Sequence, residues 1–539
     1  MIYSLGSALL PQTYSAMRSS LLLLLILLLV PSSANAGGTA IPGYGSQAQS
    51  RAGAFAAKAN DPSAIFHNPA GLSKLTGTRL LLSLNLVNFK QAFTRQGSYD
   101  ECTDAKCPTG GLPYSGLPYA RVENQGHGKV SLGDFAVIPL LAVSSDLGLG
   151  LPVVFAAGIF APSAGSADRD YVDGYFPGQD PNRAPPPQRY DTLLQQASLL
   201  LPSVAAGYTV NEKLSLGARV SWGFGSVTAQ TSLWGVRNFE EWEGFDSHVA
   251  IEAKDNFIPA FGFGALYKAR DDIELGFNYR SATRMNAKGT ASATPGTGTL
   301  INGLSPLSPK TTGPYRCGAG GTVAKSIACL ELTQPQVASI GGRWIARDAQ
   351  GREQADIELN VQWENWSATS TSKAVVDATT PTLPDGLNPS ESKHGFKDAF
   401  SFRLGGSYTF SGAQAVNLRA GIAHDTETAP LSWTRLDQDG FPRTTMAAGV
   451  GLQVGGYTLD LGAGYVYEGQ RVVDHGGCNP TADNLGCSGT GLETPTGERN
   501  SPDPNQPIVS ERFKTQSPFN AGLYEQSYIH LSVGLSKKF

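Results

Sequence analysis

The side chains in this chain that could support catalysis or bind a metal are few and scattered. Seven histidines, at 67, 127, 248, 394, 424, 475 and 530, fall in loops, in the amino-terminal stretch or at strand ends. None has a serine and a carboxylate grouped with it as a hydrolytic triad requires. Six cysteines form three sequence-local pairs, Cys102/Cys107, Cys317/Cys329 and Cys478/Cys487. Zinc would need four converging ligands, and no histidine stands at ligand spacing from any pair. Local disulfides in an oxidising compartment fit the pattern, and they would tighten loops rather than staple a core. Asp437-Gln-Asp439-Gly440 begins like a calcium loop but lacks the remaining ligands, so it reads as a plain turn. The chemistry expected is therefore binding: no enzyme activity, no cofactor and no metal.

The ionised groups that remain sit on one face of alternating segments. Leu214, Leu216, Ala218, Val220 and Trp222 alternate with Ser215, Gly217, Arg219, Ser221 and Gly223. Ile273, Leu275, Phe277 and Tyr279 alternate with Glu274, Gly276, Asn278 and Arg280. The same period of two recurs around Glu358, Arg403, Arg419 and Asp460, and it marks strands with one apolar and one polar face. Fourteen such segments are expected, at about 79–93, 129–145, 149–163, 196–210, 213–232, 257–269, 272–289, 331–347, 353–371, 398–411, 414–427, 442–455, 456–471 and 526–539. Connections after even-numbered segments are short. Those after odd-numbered segments are long and rich in Gly, Pro, Asn and Ser.

Composition narrows the class. Only 16% of the 539 residues are charged, well under the ~25% of a soluble protein. With 41 basic against 45 acidic residues, the chain is not basic enough for a nucleic-acid partner. After Val30 no apolar run is long enough for a membrane helix. Met17-Arg18, the apolar run 21–30 and Ala34-Asn35-Ala36 form a secretory signal, with cleavage expected after Ala36 and Met17 as the expected start.

These features together describe an all-β transmembrane barrel of about 14 antiparallel strands in the Gram-negative outer membrane. Closure satisfies every backbone hydrogen bond without a free edge, and short turns alternate with long loops. The organisation expected is 1–36 signal peptide, 37–77 a lumenal hatch of small helices with one over 49–58, and 78–539 barrel. Asn68 before Pro69 makes a good helix start. The last strand puts Ile529, Leu531, Val533, Leu535 and Phe539 on one face, interrupted at Lys537. It resembles the carboxyl-terminal signal of bacterial outer-membrane barrels.

The stretch DPSAIFHNPAGLSKL (61–75), together with FGFGALYKARDDIELGFNYRS (261–281), the periodicity of 357–367 and TTMAAGVGLQVGGYTLDLGAGYVYE (444–468), resembles the FadL/TodX-type outer-membrane transporters of long-chain fatty acids and hydrophobic compounds. The resemblance implies a hatch motif at Asn68, Pro69, Ala70 and Gly71. It implies capture of a hydrophobic ligand among outer loops, hatch displacement, and lateral release into membrane lipid through a kinked third strand. Gly158 and Pro162 are the kink candidates. For a fatty acid, the carboxylate would need a cation, and Arg219, Arg280, Arg403 and Arg419 are the candidates; the plainer reading pairs these arginines with Glu274, Glu358 or Glu364. The expected partners are a long-chain fatty acid or similar ligand and outer-membrane lipid, with the chain a monomer. Rival readings are a non-specific porin, a channel for aromatic hydrocarbons, and a surface protein whose long loops are the function.

Overall fold

A computed structural model describes residues 43–105, 107–127, 130–161, 168–172, 182–233, 241–296, 308–322, 325–379, 390–410, 415–438, 440–473 and 522–539. The expected signal peptide, Pro162, Cys478 and Cys487 lie outside these residues.

Fourteen strands cross the molecule. They are β1 (Arg79–Arg95), β2 (Phe135–Ser145), β3 (Val153–Phe160), β4 (Leu194–Thr209), β5 (Leu214–Leu233) and β6 (Ser247–Arg270). Four more are built in two pieces: β7 (Ile273–Arg280, Thr283–Pro295), β8 (Lys325–Gln334, Val337–Arg347), β9 (Glu353–Glu364, Thr371–Thr379) and β10 (Ser390–Lys393, Ala399–Phe410). The last are β11 (Val416–Asp425), β12 (Arg443–Val454), β13 (Tyr457–Val473) and β14 (Gly522–Lys538).

Each strand pairs antiparallel with the next. β14 returns to β1 along its whole length, from Arg79 opposite Lys538 to Arg95 opposite Gly522. The sheet is therefore a closed barrel. Most strand ends lie within a few residues of where the alternation puts them; the larger departures are β2, starting only at Phe135, β6, starting at Ser247 rather than 257, and the extracellular ends of β7 to β10, which reach Pro295, Lys325, Thr379 and Ser390 rather than 289, 331, 371 and 398.

The alternation is realised as an inside and an outside. On β1, Leu80, Leu82 and Leu84 are exposed while Leu81, Ser83 and Asn85 are buried. The same holds for Leu216, Val220 and Trp222 outside, against Arg219 and Ser221 inside. In water this outer face would be a fault; against lipid it is the surface that drives insertion. Short hairpins close the periplasmic end. The tightest joins β12 to β13 through Gly455 and Gly456, with φ of 57° and 84°, a two-residue turn that needs left-handed backbone at both positions. Lys537 at this rim lies 4.7 Å from the ring centroids of both Tyr457 and Phe539, so the interruption of the last strand's apolar face is covered by two aromatic rings. At the other end Cys102–Cys107 and Cys317–Cys329 are disulfides in or beside long connections.

Candidate ligand-binding lumen

Residues 43–77 run inside the ring of strands. The helix expected over 49–58 is not formed. Instead α1 spans Ser46–Gln49, and the chain then turns because Ala52 and Gly53 take φ of 50° and 81°. After α2 (Ala64–His67), a 3-10 turn covers Pro69–Lys74, capped by Asn68, whose Oδ1 accepts from Ala70 N at 3.1 Å. Such a compact non-repetitive path leaves many backbone groups to be satisfied by the wall. Asn68 Nδ2 donates to Ala56 O at 2.7 Å and to Ala265 O on β6 at 3.1 Å. Glu358 on β9 accepts from Ala57 N at 2.7 Å and Lys58 N at 3.0 Å.

Charge fixes the same segment to β7 and β9, whose acids it shares with a cation of β8. Arg51 reaches Asp356 at 2.9 Å and Glu358 at 3.4 Å. Lys58 meets Glu353 at 2.7 Å and Asp356 at 3.0 Å, and Lys74 meets Glu274 at 2.8 Å. Arg343 on the wall joins Glu274 and Asp356, each at 3.0 Å, and also Glu353. Four cations and four acids balance, so each buried charge has partners, and removing one would strand the others.

The wall is also cut to the segment's shape. Inward-facing glycines pair across strands: Gly207 with Gly217, Gly217 with Gly264, Gly276 with Gly341, Gly405 with Gly421 and Gly449 with Gly462. A Cβ at Gly207 would stand 2.8 Å from Ser73 N, and one at Gly405 2.7 Å from Arg51 O. At Gly217 it would fall on Ala70 N and the Pro69 carbonyl carbon, and at Gly421 on Arg51. Backbone meets backbone here, and only glycine leaves room.

The four candidate arginines all face inward but differ in their partners. Arg419 is paired with Asp460 at 2.5 Å, and Arg403 is 3.7 Å from Asp425. Glu274 and Glu358, the acids considered for these arginines, are held instead by Lys74, Arg343 and Arg51. Glu364 accepts from Gln362 and Trp366. Arg219 and Arg280 have neither an ion pair nor a hydrogen bond among the described residues. Their guanidinium carbons lie 5.5 and 4.4 Å from the centroid of the Phe66 ring, and Arg219 also lies 5.4 Å from that of Phe160. Cation–π contact offsets part of the cost of burial, but two guanidinium forks are left able to take a carboxylate.

A cavity opens beside them, lined by Tyr44, Phe66, His67, Arg280, Asn360 and Arg403. His67 is half-buried among the rings of Tyr44, Phe55 and Phe66, and desolvation there, with arginines near it, lowers its pKa to about 3. The ring is therefore neutral, and Nε2 lies 3.1 Å from Tyr44 N and 2.9 Å from Tyr44 O, so the tautomer sets whether it accepts from the first or donates to the second. Neither Tyr44 nor the segment's basic residues is among the site residues expected from the sequence. Their signal, cations in an otherwise apolar stretch of small residues, was there to be read.

The third strand is short. Gly158 stands in an unbroken ladder, opposite Ala142 on one side and Ser203 on the other, so the pairing does not fail at that glycine. It stops two residues later, after Phe160, and beyond that point β2 from Phe135 to Pro139 and residues 196–200 of β4 have no β3 partner among the described residues. Pro139 and Pro202 flank the break, each without an N–H to donate. The inner side is apolar: Phe160 packs edge-on against Phe66 at 5.0 Å, with Ile138, Leu140, Leu199 and Leu201 around it. At the extracellular rim a second apolar cluster gathers Phe93, Tyr171, Leu436, Phe441, Val473 and Tyr524. Loops are tied over it by Arg435 to Asp191 at 3.0 Å and His394 to Asp437 at 2.9 Å, so the expected plain turn at 437 is a buttress.

A closed fourteen-stranded barrel with an apolar outer belt and a filled, charged lumen is the architecture of an outer-membrane protein. The chain belongs to the OMPP1/FadL/TodX family of outer membrane transport proteins, whose pattern matches residues 27–476. It is 25% identical over 393 residues to a Neisseria meningitidis serogroup B protein that carries the name of an outer membrane protein, covering 70% of this chain and 74% of that one. Its fold is similar to the crystal structure of a Pseudomonas aeruginosa FadL homologue, with TM-score 0.64 and 16% identity, covering 93% of this chain and all of that one. It is likewise similar to the Pseudomonas putida toluene transporter TodX, with TM-score 0.58 and 15% identity over 93% of this chain and 99% of that one.

Proposed function

We propose that this protein carries hydrophobic molecules with an anionic end, long-chain fatty acids above all, across the outer membrane. The observation that carries the reading is the pair Arg219, buried, and Arg280, half-buried, set in the lumen against Phe66 and Phe160 without an acid partner among the described residues. A buried unpaired guanidinium costs several kcal/mol, on the order of what a bidentate carboxylate would restore. An alkyl tail would lie along the apolar lining toward the end of β3.

In this mechanism the ligand first lands on the apolar cluster under the outer loops. It then enters the lumen and loosens residues 37–77, which act as the hatch around the Asn68-Pro69-Ala70-Gly71 turn. It leaves sideways, past the point where β3 ends between β2 and β4. Lateral exit keeps apolar surface out of water, which a straight polar channel would not. The break after Phe160, with Pro139 and Pro202 beside it, falls between Gly158 and Pro162, the two kink candidates.

A second reading, uptake of aromatic hydrocarbons, is favoured by the likeness to the toluene transporter, but a neutral ring leaves both arginines without an acceptor. Binding of a fluorescent long-chain fatty acid to the purified barrel separates the two. Arg219→Gln with Arg280→Gln should weaken it by on the order of a hundredfold, the worth of two charge-assisted hydrogen bonds, and toluene should compete poorly. Unchanged binding in a folded double variant, with toluene as the stronger competitor, would favour the hydrocarbon.

A further inference from the structure

We propose that the outer wall between β6 and β7, just beyond the apolar belt, binds the phosphates of the glycolipid that forms the outer leaflet, through Lys254, Arg284 and Lys288. Lys254 and Lys288 are direct cross-strand partners, so their side chains leave the same face of the sheet. Ser226 on β5 stands opposite Lys254 from the other side. Like charges placed directly across an antiparallel pair repel and cost stability. All three cations are exposed, and none has an ion pair among the described residues. The acids on this face sit off the pair: Glu252 lies two residues along β6, and Glu331 stands opposite Asn286 and is itself matched by Lys373 on β9. Asp255, the nearest acid in sequence, is occupied by the backbone N–H groups of Phe257 and Asn286, at 3.0 and 2.7 Å.

Height along the barrel selects the ligand. Phe224 on β5 is exposed two residues below Ser226, and Phe257 on β6 is 69% exposed three residues below Lys254. Those rings mark the upper edge of the lipid-facing belt, where aromatic side chains settle. The lysine pair therefore stands at the level of the outer-leaflet headgroups, which in this membrane carry phosphate on a sugar. A phosphate between the two ammonium groups converts the repulsion into two charge-assisted hydrogen bonds, with Arg284 lower on the same face as a third donor. These cations leave the outer face of the sheet and the lumenal arginines its inner face, so the inference stands whether or not the proposed cargo is right.

The test is native mass spectrometry of the purified barrel in detergent, titrated with lipid A carrying two phosphates and with its dephosphorylated form. Lys254→Ser with Lys288→Ser should weaken binding of the phosphorylated form by about tenfold or more, while Lys268→Ser at the periplasmic rim should change nothing. Thermal melting adds a readout of opposite sign: without lipid A the double variant melts no lower than wild type, because repulsion is removed, and lipid A raises the melting point of wild type only. Equal binding by the double variant and wild type, or equal binding of dephosphorylated lipid A, would overturn the proposal.

Discussion

Adding one methyl group at Gly217 should unseat the lumenal segment without harming the barrel. A Cβ there falls on Ala70 N and the Pro69 carbonyl carbon, so Gly217→Ala leaves the segment two responses. If the Asn68–Ala70 turn distorts locally, it loses the bonds of Asn68 to Ala56 O and Ala265 O and its cap on Ala70 N. If the segment shifts as a body, it loses the Ala265 bond and the grip of Glu358 on Ala57 N and Lys58 N. Either way three hydrogen bonds go, at about 1 kcal/mol each, so the unseated form gains roughly 2–3 kcal/mol, or roughly thirty- to 150-fold in population. The matched control is Gly342→Ala, where the added Cβ meets only Leu275, at 3.8 Å. Single-channel recording in planar bilayers should show openings far more often in Gly217→Ala than in wild type or Gly342→Ala, with all three shifting on heating as folded barrels do. A folded Gly217→Ala barrel that stays as closed as wild type would refute the reasoning.

Three further outcomes follow from the same geometry. Glu358→Gln should also raise open probability, because it removes the charge that Arg51 meets and weakens the clamp on two backbone N–H groups; an unchanged current would mean the ion network does not hold the segment. Burial pushes the Asp61 carboxyl up to about 6; a raised carboxyl favours the buried state at pH below the folded value and loses that contribution above it, so moving from pH 7 to 5 should seat the segment by about 1 kcal/mol more. Asp61→Asn should flatten that dependence, with His67 staying neutral across the range, and a wild-type slope in the variant would contradict the assignment. Arg419→Gln, which breaks a lumenal ion pair already formed with Asp460, should lower thermal stability but leave fatty-acid affinity within about twofold, unlike Arg219→Gln; an equal loss of affinity in both would spread the binding role over all four arginines.

The barrel was legible because lipid on one side and a polar lumen on the other impose a period of two on every strand, and that signal is local. Leu216, Val220 and Trp222 announce their face without reference to any other strand. What stayed hidden depends on pairs far apart in sequence. Nothing near Glu358 says that its carboxylate will clamp Ala57 and Lys58, some three hundred residues away. The glycines at 217, 264, 276, 405, 421, 449 and 462 looked like composition until register put them level with the lumenal segment. Their placement on the polar face of each alternation, where charged or hydroxyl side chains stand elsewhere, was the available clue. Ranking Arg219 and Arg280 above Arg403 and Arg419 required knowing which had found acids. The break in β3 was expected between Gly158 and Pro162; the ladder runs through Gly158, and among the described residues pairing stops after Phe160, with Pro162 outside them.

The most direct measurement is uptake of a radiolabelled long-chain fatty acid by Gram-negative cells that lack their own transporter and express this chain. Saturable uptake is expected, falling at least tenfold in Arg219→Gln/Arg280→Gln, with no matching entry of a polar sugar of similar length. Fatty-acid entry no faster than in cells without the protein, or free passage of the sugar through the wild-type barrel, would contradict the account.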